Sequence, residues 1–530
     1  MTDYINPILT AEPRIENITN KLNYPVYSGA SINSYCQYNS ISADNNQIIF
    51  NCAIPSEDTI IDRNIMINAT YKIKLTITNI AVGATAFNYG LGECFQSFPI
   101  HASMKNMTCS LNNTSFSINT QDVMQQLLKL IEPREFQKYN GMTPTMPDLY
   151  FNNYTDAIGS KADPTADYKE SGYDNHLIPR GAHPLKSINV LHTKAAGGTD
   201  ASLISTNVAD TWIITIESEF TEPLLISPFL FHSKHNYNNQ GIYGIYTFNL
   251  NINLDTSLKR FFTTNNDNIS ISFDATNPIS NAYLLFNFLN IQETDNLPTK
   301  NIIPYTDYPV YISTDSDVLN AGNSKIIISQ NFQLNQIPDL FILSVRRPMA
   351  NTTIKNTNSF LPIRNISVSF NNKSGLLSSA TTQDLYRLSK TNGSVQSWYE
   401  FYGYAGKQNT NPAITTINQY LYSTSGSLVL INPAKDLGLP YFLSNGSIGN
   451  LNIQFKIDVI NNTTDNFIPE IVIITANTGF IINDKGNTDI YTGILNKELV
   501  VETVLNKDKI PINSNPLIGG CLNKIDELLS

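Results

Sequence analysis

A chain of 530 residues is too long for one hydrophobic core, so at least two domains are expected. With 41% apolar and 15% charged residues, composition excludes a wholly disordered chain. A formal net charge of −10, with no lysine- or arginine-rich run, excludes bulk electrostatic binding of nucleic acid. The 26 Gly, 26 Pro, 27 Tyr and 25 Phe suit a turn-rich, aromatic-rich β protein. Cys36, Cys52, Cys94, Cys109 and Cys521 are odd in number and widely spaced, without a CxxC, so free thiols in a reducing compartment are expected rather than zinc or a disulfide framework.

Residues 1–22 lack periodicity and read as an extended arm, meeting the body near Glu12-Pro13-Arg14. The N-terminus has no basic region and apolar core of a signal peptide, and no run of about 18 apolar residues follows, so a soluble protein made in the cytosol is expected. Tyr24-Pro25-Val26-Tyr27 opens the first domain. Residues 47–78 then read as strand, corner and long strand. Ile48-Ile49-Phe50 precedes a break at Pro55, after which Ile65, Ile67, Ala69, Tyr71, Ile73, Leu75 and Ile77 alternate with Asn68, Thr70, Lys72, Lys74 and Thr76. A period of two predicts one buried and one wet face. A strand is expected at 115–118. A helix follows, capped by Asn119 or Thr120, with Asp122 in its first turn, Val123, Leu127, Leu130 and Ile131 at helical spacing, and Pro133 as its stop. Residues 140–186 form a long polar connection, of a length that is usually functional or covers a partner surface. Strands are predicted at 187–191, 212–217, 224–231, 244–253, 268–273 and 282–288, and residues 290–300 are polar.

The second half repeats the first in outline. Tyr308-Pro309-Val310-Tyr311 matches Tyr24 to Tyr27, and Lys325 to Ile328 stands where Gln47 to Phe50 stood. Ile337-Pro338 leads into a strand as Ile54-Pro55 does, and Thr382-Gln383-Asp384-Leu385 matches Thr120-Gln121-Asp122-Val123 at a helix start. Four matches in one order predict an internal duplication.

Chemistry-bearing patterns are sparse. His232 and His235 fall on opposite faces of a strand and cannot share a metal; the six histidines are expected at the surface. Asp315 and Asp317 lack the glycine and distal glutamate of a calcium loop and read as turn residues. Arg346-Arg347 reads as a strand-end contact. No phosphate loop, nucleophile elbow or HExxH occurs.

Several markers carry a specific resemblance. They are Glu12-Pro13-Arg14; Pro55-Ser56 followed by Ile61-Asp62-Arg63; Phe95-Gln96-Ser97-Phe98-Pro99-Ile100; and Gly375-Leu376-Leu377-Ser378 leading to Gln383-Asp384-Leu385-Tyr386 and Trp398-Tyr399-Glu400-Phe401. The last is Gly426-Ser427-Leu428-Val429 before Lys435-Asp436-Leu437-Gly438-Leu439. Through these, nearly the whole chain resembles the double jelly-roll major capsid proteins of virophages and Polinton-like viruses. The resemblance implies an all-β fold of two tandem eight-stranded jelly rolls, each with a short loop helix. The division expected is an arm at 1–22, a first jelly roll at 23–288, a linker at 289–306, a second jelly roll at 307–510 and a tail at 511–530. The function implied is that of a major capsid protein forming trimeric, pseudo-hexameric capsomers of an icosahedral DNA-virus shell. It carries over no catalytic residue, cofactor or metal. Partners implied are further copies of the chain, penton and minor capsid proteins, and a viral cysteine protease, with no sequence-specific nucleic-acid binding. Its location would be the virion, after synthesis and assembly in the host cytoplasm. A carbohydrate-binding jelly roll, using Tyr399, Tyr402 and Tyr404 as an aromatic patch, is the alternative. A cupin- or glycosidase-like enzyme would need histidines or carboxylates converging in a barrel mouth.

Leu517-Ile518-Gly519-Gly520-Cys521 is a candidate processing site. Paired glycines let the backbone extend into a narrow cleft, and the pattern is similar to sites cut by adenovirus-type cysteine proteases, with cleavage between Gly520 and Cys521. A glycine turn folding the last segment back onto the capsid floor is the other reading of Gly519 and Gly520.

Overall fold

A computed structural model describes residues 7–11, 23–27, 32–78, most of 87–145, 183–192, 212–229, 241–264, 268–290, 299–408 apart from four positions, 419–439 and 445–493. Within the first half, two antiparallel sheets face each other. In one, Met66–Ile77 lies between Trp212–Pro223 and Ile279–Asn290, with Ser187–His192 and Ile32–Asn39 outside them. The other runs Thr114–Ile118, Met104–Leu111, Thr247–Leu254, Gln47–Ala53, Ser42–Ala43. Alternate residues of each strand fill the space between: Ile67, Ala69, Tyr71, Ile73 and Leu75 from one side, Phe50, Cys52, Cys109 and Leu250 from the other. Burying each large side chain contributes about 1.5–3 kcal/mol before chain entropy is counted.

The second half has the same plan. Glu470–Asp484 pairs Leu340–Arg346 and Val310–Thr314 near its start and Lys300–Asp307 and Asn487–Thr492 near its end, with Val429–Ile431 outside Leu340–Arg346. The facing sheet runs Ser324–Ile328, Ile448–Ile460, Ile363–Phe370, Lys373–Leu376. Phe341, Leu343 and Val345 meet Phe455, Ile457 and Val368 in its core. These are two jelly rolls in one chain.

Three of the four repeat correspondences fall on equivalent elements. Gln47–Ala53 and Ser324–Ile328 both flank the penultimate long strand of their half, and Met66–Ile77 and Leu340–Arg346 both pair the last one, in the facing sheet. The helices Thr120–Leu128 and Thr382–Thr391 both follow a hairpin. In both, a side chain one residue upstream, Asn119 or Thr381, accepts from the amide of the aspartate at the third helical position. The fourth is offset. Asn23–Tyr27 pairs Pro7–Ala11, whereas Val310–Thr314 takes the place beside the last long strand that Ile32–Asn39 holds in the first half. A four-residue motif is too short to fix register once the arm is inserted before it.

Other expectations are corrected. The segment after Pro223 is not a strand: Leu224, Leu225, Ile226 and Phe229 are buried in a turn, with a cis Ser227–Pro228 bond. Arg63 holds this turn by donating from Nε and Nη2 to the Pro228 carbonyl, at 2.9 and 2.6 Å. Asn68 and Thr70 are buried although they point away from the core, because Glu219, Thr221 and Lys186 cover them. The Thr120–Leu128 helix stops at Lys129, short of Pro133. Ile279–Asn290 and Lys300–Asp307, which reach into the expected linker at 289–306, are both strands. Most of 140–186 and all of 511–530, including Gly519, Gly520 and Cys521, lie outside the described residues, as do His232 and His235.

Candidate functional site

The most heavily built polar site is the face where the two jelly rolls meet. The alternation that sends Phe341, Leu343 and Val345 inward sends Ile342, Ser344 and Arg346 outward. They meet the Thr120–Leu128 helix of the first half, whose side chains are nearly all buried. Arg346 donates from Nε to Glu470 Oε1 at 2.8 Å and from Nη2 to Asp122 Oδ1. The other oxygen of Asp122 accepts from Asn119 Nδ2 at 2.6 Å, so one carboxylate holds the side chain that caps its helix and clamps the second jelly roll. Burial pushes the Glu470 carboxyl up, against the opposing pull of Arg346. Around the clamp, Gln126 Nε2 reaches Ser344 Oγ at 3.4 Å and Lys129 Nζ sits 4.4 Å above the Phe360 ring. Ile342, Leu428, Leu430, Val472, Ile474 and Ile481 join the core cluster of the first half. At the far edge Asn112 Nδ2 donates to Thr488 Oγ1 at 3.0 Å, and Phe116 stands edge-on to Tyr305 at 5.7 Å. Apolar burial supplies the adhesion here, and the buried charges fix one mutual orientation.

A second polar network lies inside the first jelly roll. His101 is fully buried, which corrects its expected surface position. Its Nδ1 lies 2.6 Å from Glu222 Oε2, and its Nε2 accepts from the Leu225 amide at 3.1 Å, so the ring proton sits on Nδ1. Glu222 also accepts from the amides of Ile100 and His101 and from Thr143 Oγ1. His183 is buried too, stacked on Phe220 with centroids 4.8 Å apart, and desolvation lowers its pKa. Both histidines tie loops to the sheet. The context of the first pair, His101 inside a Pro-initiated helix and Glu222 before Pro223, gave no sequence signal of partners 121 residues apart.

The remaining candidates are structural. Asp315 and Asp317 both pair Lys325, at 2.5 and 3.4 Å. Arg347 pairs Asp465 at 2.9 Å and stacks on Phe467, so the Arg346-Arg347 pair does make strand-end contacts. Tyr402 stacks on Trp398 at 5.2 Å under the Arg364 guanidinium, and Tyr404 stands edge-on to it at 6.3 Å. Tyr399 is 60% exposed and stands apart from that stack in solvent. Among the described residues no group of three or more His, Cys, Asp or Glu side chains could hold a metal ion. No helix among them is long and apolar enough to cross a membrane.

Comparison with known proteins decides the family. Residues 4–289 match the model of the Sputnik virophage major capsid protein first domain, and residues 308–479 match that of the major capsid protein V20 C-terminal domain. The chain belongs to the virophage major capsid protein family. It is 25% identical over 511 residues to capsid protein V20 of Sputnik virophage, covering 94% of this chain and 81% of that one. The fold resembles that in the cryo-EM structure of the Sputnik virophage, with a TM-score of 0.76, 22% identity and coverage of 97% and 98% of the two chains. It also resembles the mavirus major capsid protein, with a TM-score of 0.66, 14% identity and coverage of 91% and 93%.

The family markers prove to be folding devices. Arg63 pins the turn at Pro228, and Ser397 with Glu400 forms a capping box at the Trp398–Tyr402 helix. Gly426 has φ of +86°, and a Cβ there would lie 1.9 Å from the Phe360 carbonyl oxygen.

Proposed function

We propose that this major capsid protein assembles with two further copies into a trimer of six-lobed outline, which tiles an icosahedral virion shell. One observation carries the reading. Two jelly rolls of like plan are locked side by side by a buried interface, so three chains supply six similar lobes. The domain division goes with it, with the join at the residues between Asn290 and Lys300. Penton and minor capsid proteins are the further partners, assembly takes place in the host cytoplasm, and a viral cysteine protease cuts between Gly520 and Cys521. Light scattering of the purified chain tests the trimer, with three chain masses expected. Intact mass spectrometry of protein from mature particles tests the cut: loss of residues 521–530 supports it, and a chain ending at Ser530 rules it out.

A second reading, glycan binding on the outer surface, draws on the exposure of Tyr399 and the Trp398–Tyr402 stack. Specific retention on a glycan array that is lost in Tyr399→Ala and Tyr402→Ala would support it.

A further inference from the structure

The interface inside the chain has a counterpart that the described residues do not fill. In the second jelly roll, Arg346 stands on the outward side of its strand opposite Glu470, the first residue of Glu470–Asp484, and bonds to it. Asp122, from the first jelly roll's helix, completes the set. In the first jelly roll, Lys72 is the outward-facing residue nearest the equivalent position, one residue along. Its neighbour Tyr71 stands opposite Ile279, the first residue of Ile279–Asn290, and the Lys72 amide donates to the Pro278 carbonyl. Lys72 Nζ bonds to Asp274, just upstream, at 3.3 Å. The cation and its own-roll acid are therefore present in both halves. Among the described residues the third member is present in only one.

The second helix carries that third member. Asp384 occupies the third helical position, as Asp122 does, and one of its oxygens accepts from the Thr381 amide and hydroxyl at 3.0 and 2.6 Å. Asp122 is buried against Arg346, whereas Asp384 is exposed, together with Gln383, Arg387 and Lys390 on the same helix. The first helix has nearly all its side chains buried; the second buries only Leu385 and Ser389. The covered helix face is itself polar, through Gln125, Gln126 and Lys129, so the polarity of the uncovered face does not argue against the same use.

We propose that the Thr382–Thr391 helix docks on the outer face of the first jelly roll of a second copy, with Asp384 meeting that copy's Lys72 as Asp122 meets Arg346 within the chain. The contact is heterologous, using a different surface on each copy, and such a contact repeats from chain to chain until the ring closes. The inference rests on the self-assembly reading above and specifies the surfaces that make it. Lys186 and Glu219, paired at 2.7 Å beside Thr70, lie on the same receiving face and form its rim.

Zero-length carbodiimide coupling of the assembled protein tests this directly. The reagent condenses a carboxylate with a touching amine to an amide, with loss of water. In a mixture of isotope-labelled and unlabelled chains, peptides joining Asp384 of one chain to Lys72 of another are expected. A charge reversal reads the same contact. Lys72→Glu should weaken association about tenfold or more by placing like charges face to face, and Asp384→Arg in the same chain should restore most of it. Lys72→Glu is the informative single variant, because Asp384 also caps its own helix. An oligomer in which Lys72 couples only to Asp274, and whose mass is unchanged by Lys72→Glu, overturns this interface and leaves self-assembly standing. A wild-type chain that stays monomeric overturns both.

Discussion

Arg346, at the end of a strand in the second jelly roll, bonds across the chain to Asp122, in the first turn of a helix in the first jelly roll, 224 residues away. Because Asp122 also holds the Asn119 side chain that caps that helix and Arg346 also binds Glu470, the clamp joins a helix start, a strand end and a strand start. Replacing Arg346 with Met leaves two carboxylates buried without their cation. We expect a loss of about 3–5 kcal/mol, read from denaturant unfolding. Arg346→Lys should lose less but not recover fully, since one ammonium cannot reproduce the two-directional fork.

Glu470 gives the clamp a pH signature. Its folded pKa is raised by burial, so between the ordinary carboxylate value and the raised one the folded chain binds more protons than the unfolded chain. Stability from this group therefore rises as pH falls through that window and is lost as pH rises through it. Unfolding midpoints measured across that range should show wild type gaining on Glu470→Gln toward acid. Parallel curves, or a gain in the other direction, would contradict the assignment.

His101 and Glu222 form a closed pair with no solvent contact. His101→Ala removes one of the donors to Glu222 and the acceptor of the Leu225 amide, leaving that buried amide unmatched. A loss of about 1–3 kcal/mol for the orphaned amide is expected, measured by thermal unfolding. The oligomeric state at low temperature should be unchanged, because neither residue faces a partner surface.

Gly426 faces the Phe360 carbonyl with positive φ, so Gly426→Ala combines backbone strain with a clash. About 1–3 kcal/mol or more of destabilisation is expected, against a smaller loss in the Gly141→Ala control, where positive φ strains the backbone but nothing lies within 4 Å. Equal losses at the two sites would show that conformation alone, not the close approach, sets the cost at Gly426.

Buried thiols should be inert. Burial pushes Cys52 up to about 12 and Cys109 well above its usual value, whereas Cys36 is half-exposed. Alkylation of the native chain near neutral pH, mapped by mass spectrometry, should mark Cys36 well before Cys52 or Cys109.

Much of the fold was legible because alternation is a local signal. The long strand ending at Ile77 and the repeat of Thr-Gln-Asp at two helix starts follow from residue spacing alone. The buried turn after Pro223 was misread because an apolar run looks like a strand whichever way its backbone turns, and only the distant Arg63 shows otherwise. The interface was half legible. Asp122 and Asp384 carry the same letters in the same motif, yet one is buried and the other exposed, a difference made by what packs against each helix. The long-range pairs Asp122 with Arg346 and His101 with Glu222 have no local trace, because fold topology alone brings them together.

The most direct test of the account is the mass of the purified chain in solution at neutral pH and micromolar concentration. Light scattering should give three chain masses, held on dilution. A stable single-chain mass under those conditions would contradict the proposal that the two-jelly-roll chain is built to assemble with its own copies.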